Sequence, residues 1–180
     1  HTTLSFKIGT LRTQYKDATT AKSGQYTGIF IKVPLNIVTS TCVINVPNQI
    51  DLGSATQYDL NKNGSSNKKS FDINISCEPA LAAHTQFKLT VQDMADVSAI
   101  NTNGILTNKA PDKEKSNAVI QLINDITGEP FVIGKQIDYF STEETSGSFK
   151  KTVSAQIYNS NPPTTVGKIE GRASFLINYE

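Results

Sequence analysis

Hydrophobic residues recur at every second position through much of this 180-residue chain. The pattern is clear at residues 71–77 and 87–91, and it is strictest in the last ten residues. Because successive side chains of a strand point to opposite faces of a sheet, such alternation is typical of strands with one buried face. No stretch has a convincing helical period, and only residues 79–84 are expected to form one short turn. The sequence therefore predicts an all-β protein, with short strands and polar turns spaced as in a β-sandwich.

Several predictions concern the strands and their connections. Residues 26–46 are expected to form a long β-like stretch, interrupted by Pro34 at an edge, a bend or a strand switch. Residues 50–53 are predicted to be a short strand, and residues 61–67 a polar loop. Residues 118–133 contain two apolar runs around a turn-forming segment, which predicts a hairpin.

The charge balance excludes several classes of function. Lys and Arg total 17 and Asp and Glu total 16, so the net charge is +1. Nucleic-acid binding needs a basic face that neutralises phosphates, and no such partner is expected. No apolar run approaches the ~18 residues that span a bilayer. The length fits one domain, or one domain plus an arm, and the start at His1 suggests a processed end.

Cys42 and Cys77 are the only cysteines. An even, minimal count in a chain that looks processed suggests a disulfide, and both residues fall where strands are expected. In the chain-entropy model, closing a loop of about 35 residues stabilises a fold by roughly 3–4 kcal/mol. The alternative is a pair of buried free thiols. No Cys/His cluster with metal-ligand spacing is present, so neither a metal nor a cofactor is expected.

The C-terminal segment, residues 168–180, is predicted to be the last strand. Its alternation puts four apolar residues on one face: Ala173, Phe175, Ile177 and Tyr179. A final strand this apolar has to be covered, because an exposed edge invites pairing with other chains. The simpler alternative is an ordinary edge strand of a closed sandwich.

In the order of its blocks, the chain resembles the chaperone–usher pilins, the fimbrial subunits of Gram-negative bacteria. The resemblance rests on the penultimate Tyr179, on Gly167 fourteenth from the end, and on blocks at residues 41–44, 50–53, 71–77, 119–122 and 127–134. It covers residues 26–180, and it implies that residues 25–180 form the pilin domain.

The resemblance implies an incomplete immunoglobulin-like β-sandwich that lacks its last strand. The missing strand leaves a groove, which a periplasmic chaperone fills first and the N-terminal extension of a neighbouring pilin subunit fills in the fibre. The implied function is a non-enzymatic structural subunit of a fimbria on the bacterial surface, delivered through the periplasm and an outer-membrane usher, that supports cell adhesion. The alternative is the pilin domain of a tip adhesin, or a single-domain adhesin that binds a host receptor glycan or protein.

The resemblance also implies site residues. Ala173, Phe175, Ile177 and Tyr179 would line the floor of the acceptor groove. The carboxylate of Glu180 would anchor basic residues of the chaperone. Gly167 would leave room at one end of the groove, because glycine has no Cβ.

Residues 1–24 are expected to form an N-terminal arm and linker. Leu4, Phe6 and Ile8 alternate as a donor strand must. In the family a glycine stands in phase with the large residues, whereas Gly9 is out of phase here, so the register stays open. Two alternatives are an extra strand of the chain's own sandwich and the tail of a preceding domain.

One enzymatic alternative involves copper. A first-residue histidine such as His1 can chelate Cu(II) with a second histidine, as in lytic polysaccharide monooxygenases, and His84 is the only other one. The pilin-like blocks explain the chain better. Phosphate-binding, hydrolase and metalloprotease motifs are all absent from the sequence, and no enzymatic activity is expected.

Overall fold

The structure, a computed structural model, describes residues 2–12, 26–35 and 40–180. The chain divides into two compact units, His1–Thr39 and Ser40–Glu180. Within the described ranges, no helix has the length and apolar character needed to cross a membrane.

The first unit contains a two-stranded antiparallel sheet. Strand β1 spans Thr2–Arg12 and strand β2 spans Tyr26–Leu35. The register is shifted between Lys7 and Gly9. Pro34 lies next to the end of β2, a position where the missing N–H of proline disturbs the ladder little.

The second unit contains two antiparallel sheets. Its elements are β3 (Thr41–Asn45), α1 (Gln57–Asn63), β4 (Lys69–Leu81), β5 (Gln86–Asp93), β6 (Ile105–Leu106), β7 (Val119–Asn124), β8 (Glu129–Pro130), β9 (Gln136–Ser141), β10 (Ser146–Tyr158) and β11 (Ala173–Tyr179). The larger sheet has the order β3-β4-β10-β7-β6, with β8 beside β7. The smaller sheet has the order β11-β5-β9. The predicted hairpin within 118–133 is present as β7 and β8.

One hydrophobic core joins the two sheets. Ile73 and Val153 come from the larger sheet, Phe87 and Leu89 from the smaller one, and all four are fully buried. Along β5, buried residues alternate with more exposed ones, as the sequence pattern predicted. The second unit is therefore a β-sandwich, which confirms the predicted fold class.

The polar loop predicted for residues 61–67 was wrong at its start, because residues 61–63 belong to helix α1. The side chain of Thr56 caps the helix by accepting an N–H of its first turn, and Gly64 ends it in the left-handed conformation at φ 77°. Leu60 is the one buried residue of the helix. A seven-residue helix with a single buried position has no readable periodicity, so the prediction missed it.

Three other details of the strands differ from the predictions. Residues 50–53 form no strand; Asp51 instead accepts the N–H of Gly53 in a local turn. Strand β9 was not predicted, because Tyr139 is its one buried residue. The last strand begins at Ala173, five residues later than expected.

The disulfide between Cys42 and Cys77 is present, as predicted. The two cysteines lie directly opposite each other on β3 and β4. The bond therefore fastens an edge strand to the interior of the larger sheet.

Replacing both cysteines by alanine is expected to lower the free energy of unfolding by roughly 3–4 kcal/mol, because the 35-residue loop is no longer closed in the unfolded chain. Urea denaturation of the full chain measures this change. Reducing the unsubstituted protein with a thiol should produce the same loss and is the control. An unchanged midpoint in both cases would contradict a stabilising role for the bond.

Candidate functional site

A groove of about 1420 Å³ opens along one side of the sandwich. Its two walls come from residues 46–57 and 164–172. Its floor is made by apolar side chains of four strands of the larger sheet: Phe71, Leu106, Ile120, Leu122 and Ala155. The sequence analysis did not predict these floor residues. The order of the strands in the sheet decides which of them border the groove, and local sequence patterns do not give that order.

The groove exposes part of the hydrophobic core. Phe71, Ile120 and Phe175 all pack against the buried cluster, yet each is only partly buried. The rings of Phe71 and Phe175 meet edge-on, with centroids 6.3 Å apart. A closed sandwich would cover such residues, so within residues 40–180 the core has no cover on this side.

Strand β11 forms one edge of the groove and is an edge strand of the smaller sheet. Glu180 and Gln86 exchange both backbone hydrogen bonds, at 2.9 and 3.0 Å. Because such pairs alternate along an antiparallel ladder, the even-numbered residues of β11 bond to β5 and the odd-numbered ones do not.

The odd-numbered residues of β11 are the four that the sequence singled out: Ala173, Phe175, Ile177 and Tyr179. Their side chains pack on the core, and their backbone N–H and C=O groups point to the open edge. Within residues 40–180 these backbone groups have no partner. The strand thus presents free backbone groups and apolar side chains from the same residues.

The six predicted groove residues are only partly brought together. Gly167, Ala173 and Phe175 line the groove. Ile177 and Tyr179 continue along the same strand face but lie beyond that lining. The Tyr179 hydroxyl donates to the carbonyl of Ser40.

Glu180 lies at the far end of β11 and forms an ion pair with Lys88. The hydrogen bond to Glu180 raises the pKa of Lys88 above its ordinary value. The Glu180 side chain is still 68% exposed, so a second cation has access to the carboxylate.

Gly167 marks a close approach of two backbone segments. Its φ is +155°, and a Cβ there would lie 2.5 Å from the Ser116 nitrogen and 2.6 Å from the Glu114 oxygen. The glycine therefore allows one wall of the groove to lie directly against the loop before β7. This physical reason differs from the room for a strand that the resemblance to the pilins implies.

The candidate donor residues Leu4 and Phe6 lie on β1, opposite Val33 and Ile31 of β2. Ile8 falls at the register shift. Beyond the shift, Gly9 lies opposite Ile29. On β2, Ile29 is the next odd-numbered residue after the partners of Leu4 and Phe6. The shift thus brings Gly9 into phase with Leu4 and Phe6, although the sequence spacing puts it out of phase.

No group of three or more His, Cys, Asp or Glu side chains in the described ranges could hold a metal ion. His84 is exposed in the turn between β4 and β5, and His1 lies outside the described residues.

Comparison with known proteins gives a consistent result. A sequence model for the fimbrial protein family matches residues 31–180. The P pilus rod subunit PapA is similar in structure, with 18% identity and a TM-score of 0.59, over 77% of this chain and 99% of PapA. A chain from a chaperone–usher pilus, studied for rod uncoiling, has 17% identity and a TM-score of 0.54, over 91% of this chain and 100% of its own length.

The CupB6 tip adhesin from Pseudomonas aeruginosa is also similar, with 19% identity and a TM-score of 0.68. The similarity covers 93% of this chain but 48% of the adhesin chain, so the chain spans about half of that protein. No curated protein matches the sequence. At these identities the solved structures establish a shared fold, the immunoglobulin-like sandwich of pilus subunits.

Proposed function

Because the chain belongs to the fimbrial protein family, we propose that it polymerises by donor-strand exchange through the groove described above. Proteins of this family are structural subunits of surface pili. In this proposal the acceptor groove of one subunit, lined by Gly167, Ala173 and Phe175, takes up a strand from a neighbouring subunit.

The observation that carries the proposal is the edge of β11, unpaired within residues 40–180, beside an apolar floor in which Phe71 and Ile120 are only partly buried. A strand added to this edge would pair with the free backbone groups of Ala173, Phe175, Ile177 and Tyr179. Its alternate side chains would cover Phe71 and the rest of the floor. In this mode of recognition the backbone ladder gives affinity and the side-chain pockets give register.

We assign the donor role to Leu4, Phe6 and Ile8 on β1. In the register of the β1–β2 sheet, Leu4, Phe6 and Gly9 are paired in one series and Ile8 is the unpaired residue of the shift, so the phase of the donor strand beyond Phe6 stays a prediction.

The proposed partners also include a periplasmic chaperone and an outer-membrane usher. Glu180 is the candidate anchor for a basic side chain of the chaperone. Its present partner, Lys88, forms only an exposed ion pair, which contributes little to stability, so a partner cation can replace it at small cost.

A second candidate function is the pilin domain of a tip adhesin, or a single-domain adhesin. It is supported by the similarity to the CupB6 tip adhesin, which covers 93% of this chain. Immunogold labelling of assembled pili separates the two candidates, because a rod subunit is labelled along the fibre and an adhesin only at its tip.

Strand uptake is tested by mixing the purified full chain with a synthetic peptide of residues 1–16. We expect a one-to-one complex by native mass spectrometry. A peptide in which Leu4, Phe6 and Ile8 are replaced by serine is the control and should not bind. If the unsubstituted peptide also fails to bind, strand uptake from this arm is excluded.

A further inference from the structure

One wall of the acceptor groove is fixed in place by two asparagine side chains. We propose that Asn108 and Asn117 are positioning residues for strand capture, an inference that rests on the proposed function. Together they form the asparagine clasp, which holds residues 161–170, the wall segment, while the groove is empty. Apart from a single bridge at Lys168, the wall segment lies outside any strand, so no ladder holds it in place.

Asn108 holds the C-terminal half of the wall segment. This side chain is only 4% exposed. Its amide nitrogen donates to the carbonyls of Lys168 at 2.9 Å and Ser116 at 3.0 Å. Its oxygen accepts the N–H of Glu170 at 3.0 Å and that of Ala110 at 3.0 Å. One buried amide therefore ties the wall to the loop between β6 and β7.

Asn117 holds the N-terminal half in the same way. Its amide nitrogen donates to the carbonyls of Asn161 and Pro163, both at 2.9 Å. Its oxygen accepts the N–H of Thr165 at 2.7 Å. The neighbouring Ser116 hydroxyl donates to the Thr165 carbonyl at 2.6 Å. The two asparagines thus act on the backbone at both ends of the wall segment.

The backbone around Gly167 completes the attachment. The N–H of Lys168 donates to the Glu114 carbonyl at 2.6 Å, and the N–H of Ser116 donates to the Lys168 carbonyl at 3.1 Å. On its other side the wall segment faces the groove, where Val166 is 81% exposed. Helix α1 also binds one residue of the segment, because the N–H of Thr164 donates to the Asn61 side chain at 2.8 Å and the Gln57 amide donates to the Thr164 carbonyl at 2.6 Å.

Between Thr165 and Glu170, by contrast, the backbone hydrogen bonds of the segment all come from the loop before β7. Because this stretch is held from one side only, the clasp is important for capturing a strand and not for retaining it. Without the Asn117 amide, the carbonyls of Asn161 and Pro163 lose their donors, and the groove is formed in only a fraction of molecules. The apparent association rate falls with that fraction. Once a strand is inserted, the strand itself holds the wall, so the dissociation rate depends little on the clasp.

The test uses Asn117→Ala, because Asn117 is only partly buried and its loss threatens folding less than the loss of Asn108. Stopped-flow binding of a labelled peptide of residues 1–16 to the full chain should show association slowed roughly tenfold, with dissociation nearly unchanged. Asn117→Asp keeps the acceptor for the Thr165 N–H but cannot donate, and should give an intermediate rate.

Asn124→Ala is the matched control. Asn124 is more deeply buried than Asn117, at 5% exposure, and its side chain accepts the N–H of Ile126 in the turn after β7, away from the groove lining. Its loss should lower stability without slowing association. Equal slowing by Asn117→Ala and Asn124→Ala, or none by Asn117→Ala, would overturn the clasp while leaving strand uptake intact. A complete lack of peptide binding to the unsubstituted chain would instead overturn the proposed function itself.

Discussion

A Phe175→Asp substitution is expected to abolish strand capture and to exclude the chain from fibres. Phe175 lines the groove, packs on the core and contacts the ring of Phe71. A carboxylate at this position has no cation within the apolar floor, and an inserted strand would strip its water. An uncompensated cost of about 3 kcal/mol lowers affinity more than about 100-fold.

Leu176→Asp provides a matched control for this experiment. Leu176 is the next residue of β11, bonds to β5 through its backbone, and is 48% exposed on the opposite face of the strand. The same chemical change there should leave binding of the 1–16 peptide unaffected. Peptide affinity and immunogold electron microscopy of assembled fibres measure the two effects. If fibres contain the Phe175 variant at the normal level, this groove is not the site of subunit assembly.

The sequence was most informative where a side chain's role follows from its neighbours along the chain. The alternation of Phe175 and Tyr179 with polar residues identified the core-facing side of β11, and antiparallel pairing makes the same residues carry the free backbone groups. The disulfide followed from a count of two cysteines. These inferences need no knowledge of the sheet order.

The remaining parts of the site depend on contacts between distant segments. Leu106 and Ile120 come together in the groove floor because β6 pairs with β7, which local periodicity does not encode. Asn108 looks like any other asparagine of a polar connection, and only its burial and its bonds to Lys168 and Glu170 distinguish it. Helix α1 was missed because its signal is a pair of caps and not a repeating pattern.

The phase of the arm shows how a backbone irregularity can override sequence spacing. Counting residues puts Gly9 out of phase with Leu4 and Phe6. The register shift between Lys7 and Gly9 adds one residue on β1 and brings Gly9 back into the series that faces Val33, Ile31 and Ile29. A shift of this kind has no reliable sequence signal, so spacing alone could not give the pairing of β1 with β2.

Deleting residues 1–16 is expected to stop chain growth while leaving strand uptake intact. The proposed donor lies in the unit His1–Thr39, and the groove is built within Ser40–Glu180, so the two roles are separable. The truncated chain should bind the 1–16 peptide with the affinity of the full chain. Added to a growing preparation, it should shorten fibres, because it fills the last position and offers no strand to the next subunit.

Point substitutions refine the deletion experiment. Leu4→Ser combined with Phe6→Ser should reproduce most of its effect, because the inserted side chains supply the apolar contact with the groove floor. Ser5→Ala combined with Lys7→Ala, in the opposite phase, is the control and should assemble normally. Fibres of normal length from the truncated chain would show that β1 is not the donor. If the truncated chain also has a lower free energy of unfolding, β1 belongs to the fold of its own subunit. A strand that is part of a fold stabilises that fold, whereas a donor strand stabilises the neighbouring subunit.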